Sequence, residues 1–292
     1  MLRSIAILFL LFSTMAQAQG VDAQLIEIDL GREYGFFSKS PAVLRAVSVR
    51  PEKIQPKTAV LFFVGWPGQL WIPDKVDPQR FAKAVSKAQL YALKHIDFFP
   101  SKGITFVAVD CPTDQWGSGF RSPNPTGCSD RYRSSEQYAS DISLLIRHLK
   151  DKEGVEKIYI FGHSYGSVSS RWLAIRLGDQ IQGSIHSASM STYAGPRYPD
   201  YGSSISQIDM GQASAPWIYF HHQDDRCSTT AYAPIQAVAG ARLTTVRGGV
   251  AEGDPCGGGH LHSYQGRELV VLEAMANWIL TGQRVEFVGA SD

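Results

Sequence analysis

Residues 158–168, "IYIFGHSYGSV", carry Ser164 between Gly162 and Gly166, directly after an apolar run. A serine on a sharp strand-to-helix turn has its hydroxyl held out at the top of a sheet, and flanking glycines let backbone and neighbours approach closely enough to make that turn. Such a hydroxyl is a weak nucleophile at neutral pH, so it needs a base, and the base needs an orienting acid. The chain carries both residue types further on: "HHQDDRC" holds Asp224 and Asp225, and "DPCGGGHLHSYQGRE" holds His260 and His262. Serine, aspartate and histidine in those places would perform acyl transfer, with attack on a carbonyl, a covalent acyl-enzyme and release by water. The competing reading is a chemically silent Gly/Ser turn, a surface carboxylate and a loop histidine. The surrounding elements decide between the two.

Those elements stand in the order a nucleophile turn requires. Continuous apolar runs at residues 59–65, 104–110, 157–162, 181–188 and 215–221 predict parallel strands covered on both faces, and residues 244–249 predict a last strand. Helical periodicity falls at residues 80–98, 135–150, 167–177 and 267–280, so Ser164 sits between a strand and a helix. Residues 25–30 and 42–50 alternate apolar and polar side chains, the pattern of a half-buried antiparallel ribbon at a sheet edge. Strand and helix alternate thereafter, which predicts an α/β fold with a mostly parallel sheet. The long loops at residues 111–134 and 189–214 follow strand ends, where open α/β sheets bind ligands. Trp66, Trp71, Trp116, Phe120, Tyr193 and Tyr198 are candidate rim aromatics, and Arg121, Arg131 and Arg197 are candidate partners for a carboxylate.

With its motifs in this order the sequence resembles the α/β-hydrolase superfamily over nearly all of the chain after residue 18. The likeness is spread over "FVGWPG", "VDCPTD", "GHSYG", "HHQDD" and the late histidine before "GRE". It is most similar to exported bacterial members carrying "DPC" and a late H-x-Y-x-G-x-E segment, a subgroup known by fold more than by substrate. The resemblance implies a central, mostly parallel sheet with helices on both faces, and the short segment between the strands ending at Ala188 and starting near Trp217 leaves room for little or no cap domain. It also implies Ser164 as nucleophile. His221 and Asp225 match the family's H-G-x-x-D segment, which favours Asp225 over Asp224 as the acid, and His262 in "HSY" matches the base better than His260. An oxyanion hole needs two backbone N–H donors. Tyr165 follows the nucleophile, and Trp66 is the donor in the loop after residues 59–65, because Pro67 has no N–H. Trp66 departs from the family's small Gly-Gly pattern there. The implied activity is hydrolysis of a small-molecule carboxylic ester with no cofactor and no metal.

Composition limits the alternatives. At 44% hydrophobic and 19% charged, 292 residues can bury one sizeable core, so residues 19–292 are expected to form one domain. Arg3, the apolar "IAILFLLF" and Ala16-Gln17-Ala18 read as a signal peptide over residues 1–18, which predicts export to the periplasm or beyond, with no later run long enough for a membrane anchor. That segment takes away one of the 28 basic residues and none of the 27 acidic ones, leaving a net charge near zero and no footprint for nucleic acid or an anionic membrane. "RYR" at residues 131–133 is a local exception and reads as a solvated loop. Cys111, Cys128, Cys227 and Cys256 form an even set, which in an exported chain favours two disulfides. Three pairings are open; joining Cys111 to Cys128 closes a short loop and leaves Cys227 with Cys256. Two rival functions remain: a metal-dependent hydrolase, since His221, His222, Asp224, Asp225, Cys227, Cys256, His260 and His262 have the donor types zinc accepts, and a silent binding protein on the same fold.

Overall fold

The apolar runs form the middle of one nine-stranded sheet. Its strands are β1 (Val21–Tyr34), β2 (Ser40–Pro51), β3 (Thr58–Phe63), β4 (Thr105–Val109), β5 (Lys157–His163), β6 (Gly183–Ser187), β7 (Trp217–His222), β8 (Leu243–Val246) and β9 (Phe287–Val288). Their spatial order is β1-β2-β4-β3-β5-β6-β7-β8-β9. The β1–β2 and β2–β4 pairs are antiparallel, and every pair from β4 to β9 is parallel. The computed structural model describes residues 20–87, 90–117, 127–196 and 200–289. The predicted signal peptide and the candidate rim residues Phe120, Arg121, Arg197 and Tyr198 lie outside them.

Side chains alternate across a strand, so a strand apolar at every position serves two cores. Val60 and Phe62 of β3 point to one layer, with Phe106 and Phe161, and Leu61 and Phe63 point to the other, with Val107 and Ile160. The first layer is covered by the short helices α1 (Pro78–Val85), α2 (Tyr91–Lys94) and α3 (Phe98–Ser101). Those three helices bring Ala82, Tyr91 and Phe99 to that core. On the opposite face lie α4 (Asp130–Arg133), α5 (Glu136–Glu153) and α6 (Gly166–Arg176). Helix α5 buries Ile142, Leu145, Ile146 and Leu149, spaced at three and four residues as one helical face requires. Ser135 caps its N-terminus by accepting the Tyr138 N–H, and Gly154 ends it in the left-handed conformation. The remaining helices are α7 (Tyr232–Ala239) and α8 (Glu268–Thr281), the latter packing Val271, Leu272 and Met275 on the first layer.

The helix predicted over residues 80–98 is instead three short pieces. Tyr91, Ala92 and Leu93 are consecutive and all buried, which one helical face cannot achieve, and Pro100 is tolerated only in the first turn of a new helix that starts at Phe98. Residues 131–133 are not a solvated loop: Tyr132 and Arg133 are buried and only Arg131 faces solvent. The strand at residues 243–246 is not the last, since β9 follows α8 and pairs with it. The sequence patterns give no helix over residues 232–239, where α7 forms; Pro234 falls in its first turn, where no N–H is needed.

Candidate active site

Strands β3 to β8 run parallel, so the loops after β3, β5, β7 and β8 all leave from one edge of the sheet. Phe63 pairs with Gly162 and His163 with Ser187, which brings the loop after β3 beside the turn after β5. Ser164 takes φ +53°, a left-handed conformation rare for residues other than glycine, and its N–H is held by the Ser187 carbonyl at 2.9 Å. The turn closes so tightly that a Cβ on Gly162 would lie 2.2 Å from the Gly166 carbonyl oxygen, and one on Gly166 would lie 2.0 Å from that of Phe63. Only glycine fits at either position.

Three side chains from three loops meet at this turn. His262 Nε2 lies 2.9 Å from Ser164 Oγ, and His262 Nδ1 lies 2.9 Å from Asp225 Oδ2. Burial by itself would raise the Asp225 carboxyl, but hydrogen bonds from His221 and His262 and the attraction of both rings hold it well below the usual carboxylate range. An ionised carboxylate only accepts, so His262 Nδ1 carries the proton and Nε2 presents its lone pair to the serine hydroxyl. Asp225 is held in turn by the Cys227 N–H at 3.0 Å, the Thr230 hydroxyl at 2.9 Å and His221 Nε2 at 3.4 Å. Asp224 is exposed, and its N–H donates to His222 Nδ1. His260 is buried but is not joined to this chain of bonds; its carbonyl accepts from Ser263 and Gln265.

Gly65, Trp66, Ser164, Tyr201, Asp254 and His262 line a cavity of about 260 Å³. Trp66 stands at its mouth, 45% exposed, and is joined to Pro67 by a cis peptide bond. Tyr165 is the N-terminal cap residue of α6, so its N–H belongs to the first turn, where amides have no partner within the helix. The loop after β3 is fixed from below by two buried side chains. Asp110 accepts the N–H groups of Leu70 at 2.6 Å, Ile72 at 2.7 Å and Cys111 at 2.7 Å, and its burial pushes the carboxyl up to about 6 despite them. Arg133 donates to the Gly68 carbonyl at 3.1 Å, to the Cys128 carbonyl at 2.6 Å and to Ser169 of α6, and lies 4.3 Å from the centre of the Tyr165 ring. Thr230, Asp110 and Arg133 escaped the sequence reading. Asp110 at the end of a predicted strand was the one with a local signal.

Of the candidate rim aromatics, Trp116 donates its indole N–H to the Cys111 carbonyl and packs on the core, while Tyr193 borders a different cavity. Cys111 is bonded to Cys128 and Cys227 to Cys256. Among the described residues no group of three or more His, Cys, Asp or Glu side chains is arranged to hold a metal ion. His222 Nε2 donates to the Gly248 carbonyl, and His221 Nε2 to the Thr230 carbonyl.

A mostly parallel sheet flanked by helices, with a serine on a strained turn at its carboxyl edge, defines an α/β-hydrolase. The family model described as serine aminopeptidase, S33, matches residues 87–238, just over half of the chain, and the protein belongs to that family of hydrolases. The matched region includes Ser164 and Asp225 and ends before His262. No curated protein matches the sequence. Among solved structures the chain is similar to Est1E from Butyrivibrio proteoclasticus, with 14% identity, 82% of this chain and 94% of that one covered and a TM-score of 0.52. It is similar also to the dienelactone hydrolase-like promiscuous phosphotriesterase P91 from metagenomic libraries, with 13% identity, coverage of 89% and 98% and a TM-score of 0.52. A cold-adapted esterase from an Arctic intertidal metagenomic library matches at 15% identity, coverage of 77% and 83% and a TM-score of 0.50. At these identities the likeness is one of fold.

Two expectations arise from this geometry. The Cys227–Cys256 bridge spans a separation of 29 residues, and loop closure of that length contributes about 3 to 4 kcal/mol in the chain-entropy model. Cys227 also holds Asp225 through its N–H, and Cys256 lines the cavity. Cys256→Ser should therefore lower kcat roughly ten-fold or more under conditions where the protein stays folded, because catalytic groups displaced by about 1 Å lose rate. Turnover that merely follows the folded fraction in parallel urea titrations would count against a geometric role.

The second expectation concerns acid. Burial keeps the His163 and His186 rings well below the ordinary histidine value, so both are neutral in the fold, while the unfolded chain titrates near 6.5. Unfolding then takes up protons below about pH 6.5, and stability present at higher pH is lost as pH falls through that value. Asp110, raised to about 6, binds its proton more tightly in the fold and opposes the trend only below about pH 6. The urea midpoint should drop between about pH 7.5 and pH 6, and a flat profile over that window contradicts the assignment.

Proposed function

We propose that the protein is an exported serine esterase that cleaves a small carboxylic ester. The observation that carries this reading is the unbroken chain of bonds from Ser164 Oγ through His262 to Asp225, 2.9 Å at each step, opening on a cavity large enough for a small acyl group. His262 takes the Ser164 proton as the hydroxyl attacks the ester carbonyl, and the backbone N–H groups of Trp66 and Tyr165 receive the developing oxyanion. The imidazolium then protonates the leaving alcohol, and a water activated by the same ring releases the acid. Asp225 holds the tautomer and offsets the charge that appears on the ring. The esterase names of the structural neighbours and the family description support a hydrolase of this class. The predicted leader and two disulfides support export, and no described helix is long and apolar enough to cross a membrane.

Asp254 favours a second reading. Among the described residues that line the cavity it is the one carboxylate, and a carboxylate is the group that receives an α-ammonium such as an aminopeptidase substrate carries. A single panel separates the two: p-nitrophenyl esters of rising acyl length against aminoacyl p-nitroanilides, with fluorophosphonate labelling mapped by mass spectrometry. Labelling at Ser164 with ester turnover supports the esterase reading. Turnover confined to the anilides moves the assignment to the peptidase, and failure to label an active preparation removes Ser164 from the mechanism.

A further inference from the structure

The two amides that would receive the oxyanion belong to segments far apart in the chain, Trp66 in the loop after β3 and Tyr165 at the start of α6. Both must aim at one oxygen, at about 2.7 to 3.1 Å from it. The pairing of Phe63 with Gly162 brings the segments side by side. It does not set the plane of the Trp66 amide, which lies beyond the last paired residue of β3. That plane belongs to a turn: the Gly68 N–H donates to the Gly65 carbonyl at 2.7 Å, closing residues 65–68 with Trp66 in second place.

One buried side chain touches that turn and Tyr165 together. Arg133 donates from Nη2 to the Gly68 carbonyl at 3.1 Å, from Nε to the Cys128 carbonyl at 2.6 Å and from Nη1 to Ser169 Oγ on α6. Its guanidinium carbon lies 4.3 Å from the centre of the Tyr165 ring, within cation–π range. The packing leaves no gap: a Cβ on Gly68 would stand 2.4 Å from Arg133 Nη2 and 3.3 Å from the Tyr165 ring. The Pro67 carbonyl accepts the Gly127 N–H at 3.0 Å, which ties the same turn to the segment before α4. Asp130, the acid on the same short helix, accepts at Oδ2 from the Ser203 hydroxyl and the Ser204 N–H. Burying a cation costs desolvation that a well-packed apolar side chain avoids, so stability alone does not call for arginine here. An apolar side chain cannot fasten three segments at fixed angles, as a planar group with five N–H donors does.

We propose that Arg133 is a positioning residue for the oxyanion hole, holding the Trp66 turn and Tyr165 in the relative orientation at which both amides meet the same oxygen. The proposal rests on the esterase reading. Arg133 has no contact with substrate in this role; its effect passes through the Gly68 carbonyl on one side and the Tyr165 ring and Ser169 on the other. A donor displaced by about 1 Å costs rate more than substrate affinity, because the oxyanion develops only after the substrate is bound.

The test compares the wild type with Arg133→Lys, which keeps the charge and loses the fork, and with Ser169→Ala, which removes one anchor. Each is assayed with p-nitrophenyl acetate and with an alkyl trifluoromethyl ketone. In the ketone adduct Ser164 Oγ bonds to the carbonyl carbon, its proton passes to His262 and the carbonyl oxygen becomes an oxyanion in the hole. Arg133→Lys should lower kcat/KM about ten-fold or more with KM within about three-fold, and weaken ketone inhibition by a similar factor. Ser169→Ala should show the same pattern at about three-fold or more. A smaller folded fraction lowers kcat and leaves an inhibition constant unchanged, so turnover that falls while ketone affinity stays at the wild-type value overturns the proposal. So does wild-type kcat/KM in Arg133→Lys. Should Arg133→Lys fail to fold, Ser169→Ala decides by the same two readings. A wild type that neither cleaves the ester nor takes fluorophosphonate at Ser164 refutes the esterase reading and this proposal with it, whereas an active wild type with unaltered variants refutes this proposal alone.

Discussion

Ser164→Ala should lower ester hydrolysis by about 10⁴-fold or more while leaving the thermal unfolding midpoint close to that of the wild type. The backbone contact that holds the turn, from the Ser164 N–H to the Ser187 carbonyl, does not involve the side chain and survives the change. Alanine meets the positive φ at little more cost than serine, since neither is branched at Cβ. What disappears is Oγ, and with it both the proposed nucleophile and the partner of His262 Nε2. Oxyanion donors and substrate binding remain and account for the residual rate. Near wild-type turnover in a preparation that no longer reacts with fluorophosphonate would show that another group attacks the substrate.

Asp225→Asn should cost about 10³ to 10⁴ in kcat with KM little changed, whereas Asp224→Asn should stay within about two-fold of wild type. Asp225 Oδ2 is reached by donors from His262, Thr230 and His221, and Oδ1 by the Cys227 amide. An asparagine amide turned toward those donors sets N–H against N–H. Turned the other way, it faces the Cys227 amide with the same conflict. The ring relieves the clash by moving its proton to Nε2, where it can no longer accept from Ser164. Asp224 is exposed and makes no contact with that ring. Equal losses in the two variants would argue for a general electrostatic effect and against an orienting hydrogen bond.

Much of the fold was legible because the strands from β3 to β7 are buried on both faces, and β3, β4 and β5 announce themselves as runs rich in apolar residues, whereas β6 (Gly183–Ser187) is buried yet mostly small or polar. The turn at Ser164 was legible for a local reason: two glycines and a serine at fixed spacing between a strand and a helix. The choice of Asp225 and His262 over their neighbours rested on resemblance, since one residue of register in a loop decides which side chain turns inward and no periodicity reports it. Arg133 was misread because a basic tripeptide looks solvated until the chain folds a carbonyl cage around it, using Gly68 and Cys128 from distant or irregular segments. Thr230 carries no local signal at all. Its hydroxyl matters only because β7 and the loop before α8 deliver Asp225 and His262 to either side of it.

The conformation of Ser164 bears on which other nucleophiles this scaffold can host. At φ +53° an unbranched side chain is tolerated, whereas a second heavy atom on Cβ collides with the backbone. Threonine offers the same hydroxyl and is the smallest chemical step away, yet it is sterically barred from the turn. Cysteine, which changes the attacking element from oxygen to sulfur, is not. Exchange of chemistry at this position is therefore open toward thiol enzymes and closed toward threonine ones, a restriction set by one backbone angle rather than by the reactivity of either group.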